Sequence, residues 1–301
     1  MKKHSHRLYA WDKEKDTERQ TMEEIRESVK SGYLTEKFRL FHLKDSAHRE
    51  YVYHYHDFHK LIWFIKGDVE YHIEGKSYKL EPYDILLVHQ GEIHRPFVDF
   101  STSYERYVFY ISSEFLEEHS EEGSDLNLCF RMAKKEQGNV IRLSAPESGM
   151  LFETVKLLEA AQKEPAYAKE MYSRILFLKL LIELNRCCIR NPEVFHKTAR
   201  YDKKVVEMIH YINENLAGDL SIEALSARFY LSKYHMMRKF KEETGYSMHQ
   251  YVLEKRVLAA RNLILSGALA TQASAECGFK DYSTFSRAYK KLLGQLPSDA
   301  Y

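Results

Sequence analysis

The sequence has no stretch that would hold it in a membrane. Its most apolar segment, Ile175–Leu184, is interrupted by Lys179 and Glu183 and falls short of the roughly 20 apolar residues that a spanning helix needs. Met1–His4 is basic but leads into no apolar stretch, so we expect no secretory signal. These features predict a cytoplasmic protein with no membrane partner.

Cysteine and net charge are also low. The chain has 4 cysteines and no C-x-x-C pair, which favours packing thiols in a reducing compartment over a disulfide framework. The net charge is +1 over 301 residues. Residues 201–301 hold 14 Lys and Arg against 11 Asp and Glu, an excess too small to indicate nucleic-acid binding by itself.

Residues 37–147 have the texture of a β domain. Short runs of β-branched and aromatic residues alternate with turn residues such as Lys66-Gly67-Asp68 and Glu74-Gly75-Lys76. The runs are Leu61–Lys66, Val69–Ile73, Ser77–Leu80, Ile85–Val88 and Tyr104–Ile111. This pattern predicts a small antiparallel barrel or jelly roll with a central cavity. Residues 1–36 precede it as a charged segment to which we assign no chemistry.

Residues 148–200 are predicted to form a helical linker that dimerises. In Met171–Ile189 apolar residues recur at a/d spacing, with Asn185 in the same seam. The opposite side, which includes Phe177 and Leu181, is apolar too, so both sides need cover. A homodimer would supply one cover, and the alternative is a helix wholly inside one domain.

Residues 201–301 are predicted to be entirely helical, because capping residues and terminal glycines punctuate them. The predicted helices with recognisable caps begin after Ser221, Ser232, Ser247 and Asp281. Two segments, residues 222–244 and 271–293, repeat one plan of a short helix, a turn and a longer helix. This plan is typical of the helix-turn-helix, whose second helix enters the major groove of double-stranded DNA.

Met236 and Phe240 are expected to face inward in the first longer helix, and Phe285 and Tyr289 in the second, which leaves polar and basic residues outward. Arginine can bind guanine through two hydrogen bonds, and lysine contacts phosphate. The candidate DNA-binding residues are Lys233, Tyr234, His235, Met237, Arg238 and Lys241 in the first unit, and Tyr282, Ser283, Ser286, Arg287 and Lys290 in the second. The alternative is a helical bundle whose arginines are merely solvated.

These strings resemble the AraC/XylS family of bacterial transcription regulators over residues 203–301. The resemblance is carried by Leu231–Met236, Phe240–Gly245, Gly278-Phe279, Phe285, Arg287, Tyr289-Lys290, Gly294 and Pro297. It implies a seven-helix DNA-binding domain with one recognition helix in each helix-turn-helix unit. It also implies a small-molecule effector for the N-terminal domain, and RNA polymerase as a further partner.

The second unit departs from the family's pattern. Ala270 and Ala273 stand where large aliphatic residues are usual, and Leu269 stands where a capping serine is usual. Smaller side chains bury less apolar area, at about 25 cal/mol per Å². We therefore expect the second recognition helix to be held less firmly than the first.

The β domain resembles a cupin at His54-x-His56, Gly67, Pro82-x-Asp84 and Gly91-x-x-His94. Three histidines in a small barrel are a composition typical of metal sites. However, Lys60 stands where metal-binding cupins carry a glutamate, and a cation opposes a metal ion. We therefore expect no metal and no other cofactor.

Two further interpretations of the histidines stay open. They are structural residues of a barrel core, or they line a pocket for an anionic effector together with neighbouring cations. The candidate effector-binding residues are His54, His56, Lys60, His94 and Arg95.

The sequence thus predicts an α+β chain with a cupin-like antiparallel β-barrel, a helical linker and a C-terminal all-α double helix-turn-helix. We expect a DNA-binding transcription regulator with no catalytic residues, and activation and repression both stay open. The alternative is a metal-dependent cupin enzyme with a helical appendage.

Overall fold

A computed structural model describes residues 37–46, 51–163, 165–197 and 200–300. The charged segment 1–36 lies outside these residues. The described chain consists of a β domain, a set of helices packed on it, and a C-terminal helical domain. None of its helices is both long enough and apolar enough to cross a membrane, and its four cysteines are buried free thiols.

The β domain contains two antiparallel sheets, as the sequence predicted. Its strands are β1 (Phe38–Asp45), β2 (His59–Lys66), β3 (Asp68–Ile73), β4 (Lys76–Lys79), β5 (Ile85–Val88), β6 (His94–Asp99), β7 (Tyr104–Ile111), β8 (Val140–Ile141), β9 (Phe195–His196) and β10 (Arg200–Tyr201). The larger sheet has the order β1-β7-β2-β5-β8-β9, and the smaller has β10-β4-β3-β6. The two sheets do not close into a barrel, which corrects that detail of the prediction, but the domain is cupin-like.

Side-chain alternation along the larger sheet creates two separate cores. In β2, Leu61 and Trp63 face the helices, whereas Ile62 and Phe64 face the smaller sheet. Successive side chains of a strand point to opposite faces, so Lys60 lies on the same inner face as Ile62. This face contains the cavity described below.

Four helices follow or interrupt the strands: α1 (Ser113–Glu118), α2 (Leu128–Lys135), α3 (Ala145–Lys163) and α4 (Lys169–Arg190). The side of α4 that carries Phe177 and Leu181 is buried against the larger sheet and α3. Met171, Ile175 and other seam residues are exposed in the single chain.

The predicted place of Asn185 in the exposed seam of α4 is wrong. Its side chain is buried within its own domain. Asn185 Oδ1 accepts a hydrogen bond from the Cys129 backbone N–H at 2.9 Å, and its Nδ2 donates to the Asp125 carbonyl at 3.2 Å. A strict a/d seam needs about 3.5 residues per turn, whereas a straight α-helix has about 3.6. The a/d positions therefore drift around the helix, and a later position such as Asn185 can face its own domain.

The C-terminal domain has six described α-helices and a closing 3-10 turn at Pro297–Ala300. The helices are α5 (Lys203–Glu214), α6 (Ile222–Phe229), α7 (Lys233–Thr244), α8 (Met248–Leu265), α9 (Ala270–Glu276) and α10 (Tyr282–Leu293). The two predicted helix-turn-helix segments, residues 222–244 and 271–293, correspond to α6 with α7 and to α9 with α10, and α9 begins one residue earlier than expected.

The predicted serine and aspartate caps are all present. The side chains of Ser221, Ser232, Ser247 and Asp281 accept hydrogen bonds from the backbone N–H three residues later. The reciprocal half of the predicted Ser247 capping box differs, because the Gln250 side chain donates to Glu254 at 2.9 Å instead.

Candidate DNA-binding and effector sites

The first candidate recognition helix, α7, presents one polar face to solvent. Met236 and Phe240 are fully buried in the domain core, while Tyr234 is 74% exposed. Arg238 is also exposed, and its Nε lies 4.0 Å from Glu242 in a loose surface pair. A pair of this kind contributes little stability, so the guanidinium is available to another partner.

The remaining candidates on α7 lie around this face. Met237 and Lys241 are exposed, and His235 is half-buried. Lys233 is exposed as well and forms an ion pair with Glu223 of α6. All six residues therefore reach the surface of the helix, as the outward pattern predicted.

The second candidate recognition helix, α10, repeats the arrangement. Phe285 and Tyr289 are fully buried, and Tyr282, Ser283 and Lys290 are exposed. Ser286 is half-buried. Arg287 is exposed and its Nε donates to the Ser283 carbonyl at 3.2 Å, one turn back on its own helix.

The short helix of the second unit has a weaker beginning than the other helices of this domain. Leu269 has the extended backbone of an N-cap, with φ −62° and ψ 137°, but no side-chain hydrogen bond caps the helix. Ala273 and Ser274 are buried, and the Ser274 hydroxyl donates to the Thr271 carbonyl at 2.8 Å. A serine that bonds back within its own helix supplies no bond to the neighbouring unit.

A cavity of about 80 Å³ lies between the two sheets of the β domain. His54, His56 and Lys60 line it, as predicted. The remaining lining residues are mostly apolar and aromatic: Leu43, Tyr51, Ile62, Tyr71, Pro96, Tyr104, Arg106, Val108 and Tyr110.

Lys60 and Arg106 place two basic groups at this cavity. Burial, and then the positive charge of Arg106, lower the pKa of Lys60 to about 7. Arg106 forms a 2.6 Å ion pair with Asp45, and its guanidinium lies 3.9 Å from the centre of the Tyr104 ring. Arg106 was not among the site residues expected from the sequence. Arg106 lies two residues before Val108, and alternate residues of a strand share one face of the sheet. This spacing could have placed Arg106 on the inner face of β7.

Like His94, Arg95 is not among the residues that line the cavity. Its guanidinium lies 4.2 Å from the centre of the Phe97 ring, and its neighbour His94 takes the inward position on β6. Adjacent strand residues face opposite ways, so His94 and Arg95 do not share a face. This corrects the placement expected from the sequence.

The predicted histidine cluster contains His54, His56 and His94. Their candidate ligand nitrogens all lie within 4.8 Å of one another. The backbones of His54 and His94 are joined by two hydrogen bonds of 3.1 and 2.9 Å. Burial and nearby positive charge hold the pKa of His56 and of His94 well below the usual range, so both rings are neutral at physiological pH. His59 and His89 pair with each other elsewhere, on the helix-facing side of the larger sheet.

Alternate residues of segment 53–57 face the C-terminal domain. Tyr53 Oη donates to the Glu243 carbonyl at 3.3 Å. Asp57 forms a 3.0 Å ion pair with Arg261, and both side chains are largely buried. Tyr55 packs in the same apolar cluster as Tyr53 and the first helix-turn-helix unit. Thus His54 and His56 belong to the histidine cluster. The residues that alternate with them, Tyr53, Tyr55 and Asp57, contact the DNA-binding domain.

Gly245 at the end of α7 is required by this contact. Its φ of +75° favours glycine, and an added Cβ would lie 2.3 Å from Cδ2 of the Tyr53 ring. The β domain therefore packs directly on the turn that follows the first recognition helix.

Helix α8 is held at a second point by Glu74. Lys255 Nζ donates to Glu74 Oε1 at 2.7 Å and to the Gly91 carbonyl at 2.7 Å. Tyr251 Oη donates to Glu74 Oε2 at 2.5 Å. Ile93, next to His94, joins the apolar cluster of the first unit. These contacts bury charged groups of both domains in one interface.

Two family models match this chain, one for each domain. Residues 40–153 match the AraC-like ligand binding domain, and residues 225–300 match a helix-turn-helix domain. With the fold and the two exposed helices, these matches define a DNA-binding transcription regulator with a ligand-binding domain. The chain belongs to the AraC family, which confirms the resemblance found in its sequence.

Similar proteins extend over most of its length. An uncharacterized HTH-type transcriptional regulator, YfiF of Bacillus subtilis, is 24% identical over 257 residues, covering 83% of this chain and 78% of that protein. The HTH-type transcriptional activator RhaS of Klebsiella pneumoniae is 20% identical over 264 residues, covering 82% and 86%. Among solved structures, the C-terminal domain of AraT, a response regulator from Geobacillus stearothermophilus, is 25% identical with a TM-score of 0.33, covering 34% of this chain and 86% of that one.

Proposed function

We propose that α7 and α10 enter successive faces of the major groove and that Arg238 and Arg287 bind bases or phosphates there. Successive major-groove faces on one side of the duplex are about 34 Å apart. The support is that each helix buries its aromatic residues and leaves its arginine on the exposed side. The other outward residues of the two helices would contact phosphate and the rims of the groove.

The cavity between the sheets is the proposed effector site. Its volume of about 80 Å³ is well below the roughly 300–1,000 Å³ of pockets for drug-sized ligands. Such a space fits a small anion, or the charged end of a longer molecule, beside Lys60 and Arg106. The effector would act as a signal and not as a substrate. We infer that the protein catalyses no reaction, because the similar proteins are transcription regulators.

Segment 53–57 couples this site to DNA binding, and its alternation is the observation that carries the proposal. An effector that contacts His54 or His56 displaces a backbone whose intervening residues hold the end of α7 and helix α8. An effector changes the presentation of the DNA-binding domain only if it binds one arrangement more tightly than the other. The buried Asp57–Arg261 ion pair joins the two domains in the arrangement described here. A different arrangement of the domains would break this ion pair.

The exposed side of α4 is the proposed dimer surface. Met171, Ile175, Ile182 and Ile189 are each at least 40% exposed in the single chain. They share one side of a helix whose other side is already buried, so a second copy of α4 would cover them. A dimer would place two DNA-binding domains on one operator and raise the overall affinity.

Selection of bound duplexes from a random pool, with the full-length protein, tests the DNA-binding proposal. We expect a recurring sequence for the wild type and relaxed preference at one or two base pairs for Arg238→Ala. Arg131→Ala is the matched control, because Arg131 is an exposed arginine on α2, outside both the DNA-binding domain and the proposed dimer surface on α4. Equal behaviour of the two variants would contradict the assignment of α7.

A further inference from the structure

We propose that His54, His56 and His94 together bind one divalent transition-metal ion, such as Zn²⁺, at the wall of the effector cavity. This deepens the proposed function and depends on it only for the consequence of binding. The site itself is argued from the three imidazoles. It departs from the expectation of no metal, which was based on the sequence position of Lys60.

The positions of the nitrogens suit a single ion. All three candidate ligand nitrogens lie within 4.8 Å of one another. Zinc–nitrogen bonds of about 2.0–2.1 Å in a tetrahedral arrangement place the nitrogens roughly 3.4 Å apart. The most distant nitrogens therefore need to approach by up to about 1.4 Å, which we expect small side-chain rotations of the rings to supply.

Hydrogen bonds to the backbone set the orientation of two of the rings. His54 Nδ1 lies 2.8 Å from the Val52 carbonyl, and His94 Nδ1 lies 2.9 Å from the Glu92 carbonyl. A carbonyl only accepts, so each Nδ1 carries the proton and each Nε2 carries a lone pair. Metal-binding histidines commonly donate their other N–H to a carbonyl in this way.

Buried nitrogens without a hydrogen-bond partner provide the independent sign of a ligand. His94 Nε2 and both ring nitrogens of His56 have no such partner among the described residues. His56 is 3% exposed and His94 is 0% exposed. Buried polar atoms are normally satisfied, and a metal ion bound by His94 Nε2 and one ring nitrogen of His56 would satisfy two of these three atoms.

The donor set selects the class of ion. Imidazole nitrogens suit zinc, copper and nickel, whereas magnesium and calcium require oxygen ligands. The cluster found among the described residues contains three histidines and no carboxylate. Lys60 also lies near the cluster: its positive charge helps to lower the pKa of His56 and of His94, and its Nζ lies 5.7 Å from the centre of the Tyr110 ring.

Binding would tie two chain segments that both contact the DNA-binding domain. His54 and His56 flank Tyr55, and His94 follows Ile93, whose side chain lies in the apolar cluster of the first helix-turn-helix unit. Three protein ligands leave one coordination position for another group. A small anion in the cavity could take that position, so the metal and the effector would share one site.

Titration of the chelator-stripped, full-length protein with Zn²⁺ and with Co²⁺ tests the proposal. We expect one equivalent per chain, and with Co²⁺ the visible absorption of a nitrogen-ligated ion. His54→Gln, His56→Gln and His94→Gln should each bind at least tenfold more weakly. The matched control is His89→Gln, because His89 lies in the same domain but outside the cluster.

The outcomes separate the metal site from the proposed function. No stoichiometric uptake by the wild type, or equal uptake by all four variants, would overturn the metal site, and the wild-type result stands even if a variant does not fold. Binding of DNA by the stripped wild type is measured in parallel. If DNA binding persists without metal uptake, the metal proposal fails and the DNA-binding proposal stands.

Discussion

The uncapped start of α9 offers a substitution that should strengthen the second DNA-binding unit. Leu269 already has the extended backbone of a capping residue, so Leu269→Ser would place a hydroxyl within reach of the Gln272 backbone N–H. Capping side chains of this type contribute about 0.5–2 kcal/mol to helix stability. Leu269 is 66% exposed, so removal of its side chain should cost little.

Hydrogen exchange of the α9 amides measures this gain locally. A gain of about 1 kcal/mol slows exchange through local opening roughly fivefold. Leu269→Ala is the matched control, because it removes the same leucine and supplies no acceptor. Equal exchange in the serine and alanine variants would refute the capping argument.

The same substitution should affect DNA binding. A recognition helix that is already ordered in the free protein loses less conformational entropy when the complex with DNA forms. Leu269→Ser should therefore raise operator affinity by up to about fivefold if it recovers about 1 kcal/mol. Unchanged affinity alongside slower exchange would show that α10 is already held firmly by its packing on α8.

Three further expectations concern other parts of the chain. Arg238→Ala should cost about 1–3 kcal/mol of operator affinity and Arg287→Ala under about 1 kcal/mol, and titrations at several salt concentrations would contradict this order if Arg287→Ala lost more. Ile182→Asp should dissociate the proposed α4 dimer by placing a charge in the apolar seam, whereas Arg174→Asp on the same helix should not, as judged by sedimentation at micromolar concentration. Burial holds the pKa of His56 well below its usual range, so the unfolded chain takes up protons first and stability should fall as the pH drops below about 6.5. Urea unfolding at neutral and mildly acidic pH should show a flatter profile for His56→Gln than for the wild type.

Local signals made the helical domain predictable. A capping bond joins residues three positions apart, so Ser221, Ser232 and Asp281 could be recognised from neighbours in the sequence. The glycine after each long helix is equally local. The inward pair of α7 also followed from spacing alone, because residues four apart share a helix face.

Contacts between residues that are distant in the sequence could not be predicted from local patterns. Asn185 was assigned to a partner-facing seam, but its bonds go to residues near Cys129, about sixty positions away. Periodicity gives the faces of a helix and does not say what covers each face. The role of Arg106 was hidden for the same reason, since β7 meets the opposing sheet only after folding.

The electrostatic state of the cavity was the least predictable feature. The sequence suggested that Lys60 is a permanent cation that excludes a metal. Its burial lowers the pKa to about 7, and burial depends on strands β1, β3, β6 and β7 together. The interface with the DNA-binding domain was missed as well, although the alternation of Tyr53-His54-Tyr55-His56-Asp57 was present in the sequence.

Footprinting of the full-length protein on DNA upstream of its own coding sequence tests the central claim most directly. We expect two protected zones per DNA-binding domain, about 10–10.5 base pairs apart on one face of the duplex. Arg238→Ala should weaken one zone and Arg287→Ala the other. A single zone, or a footprint that neither substitution alters, would contradict the claim that both helices bind in the major groove.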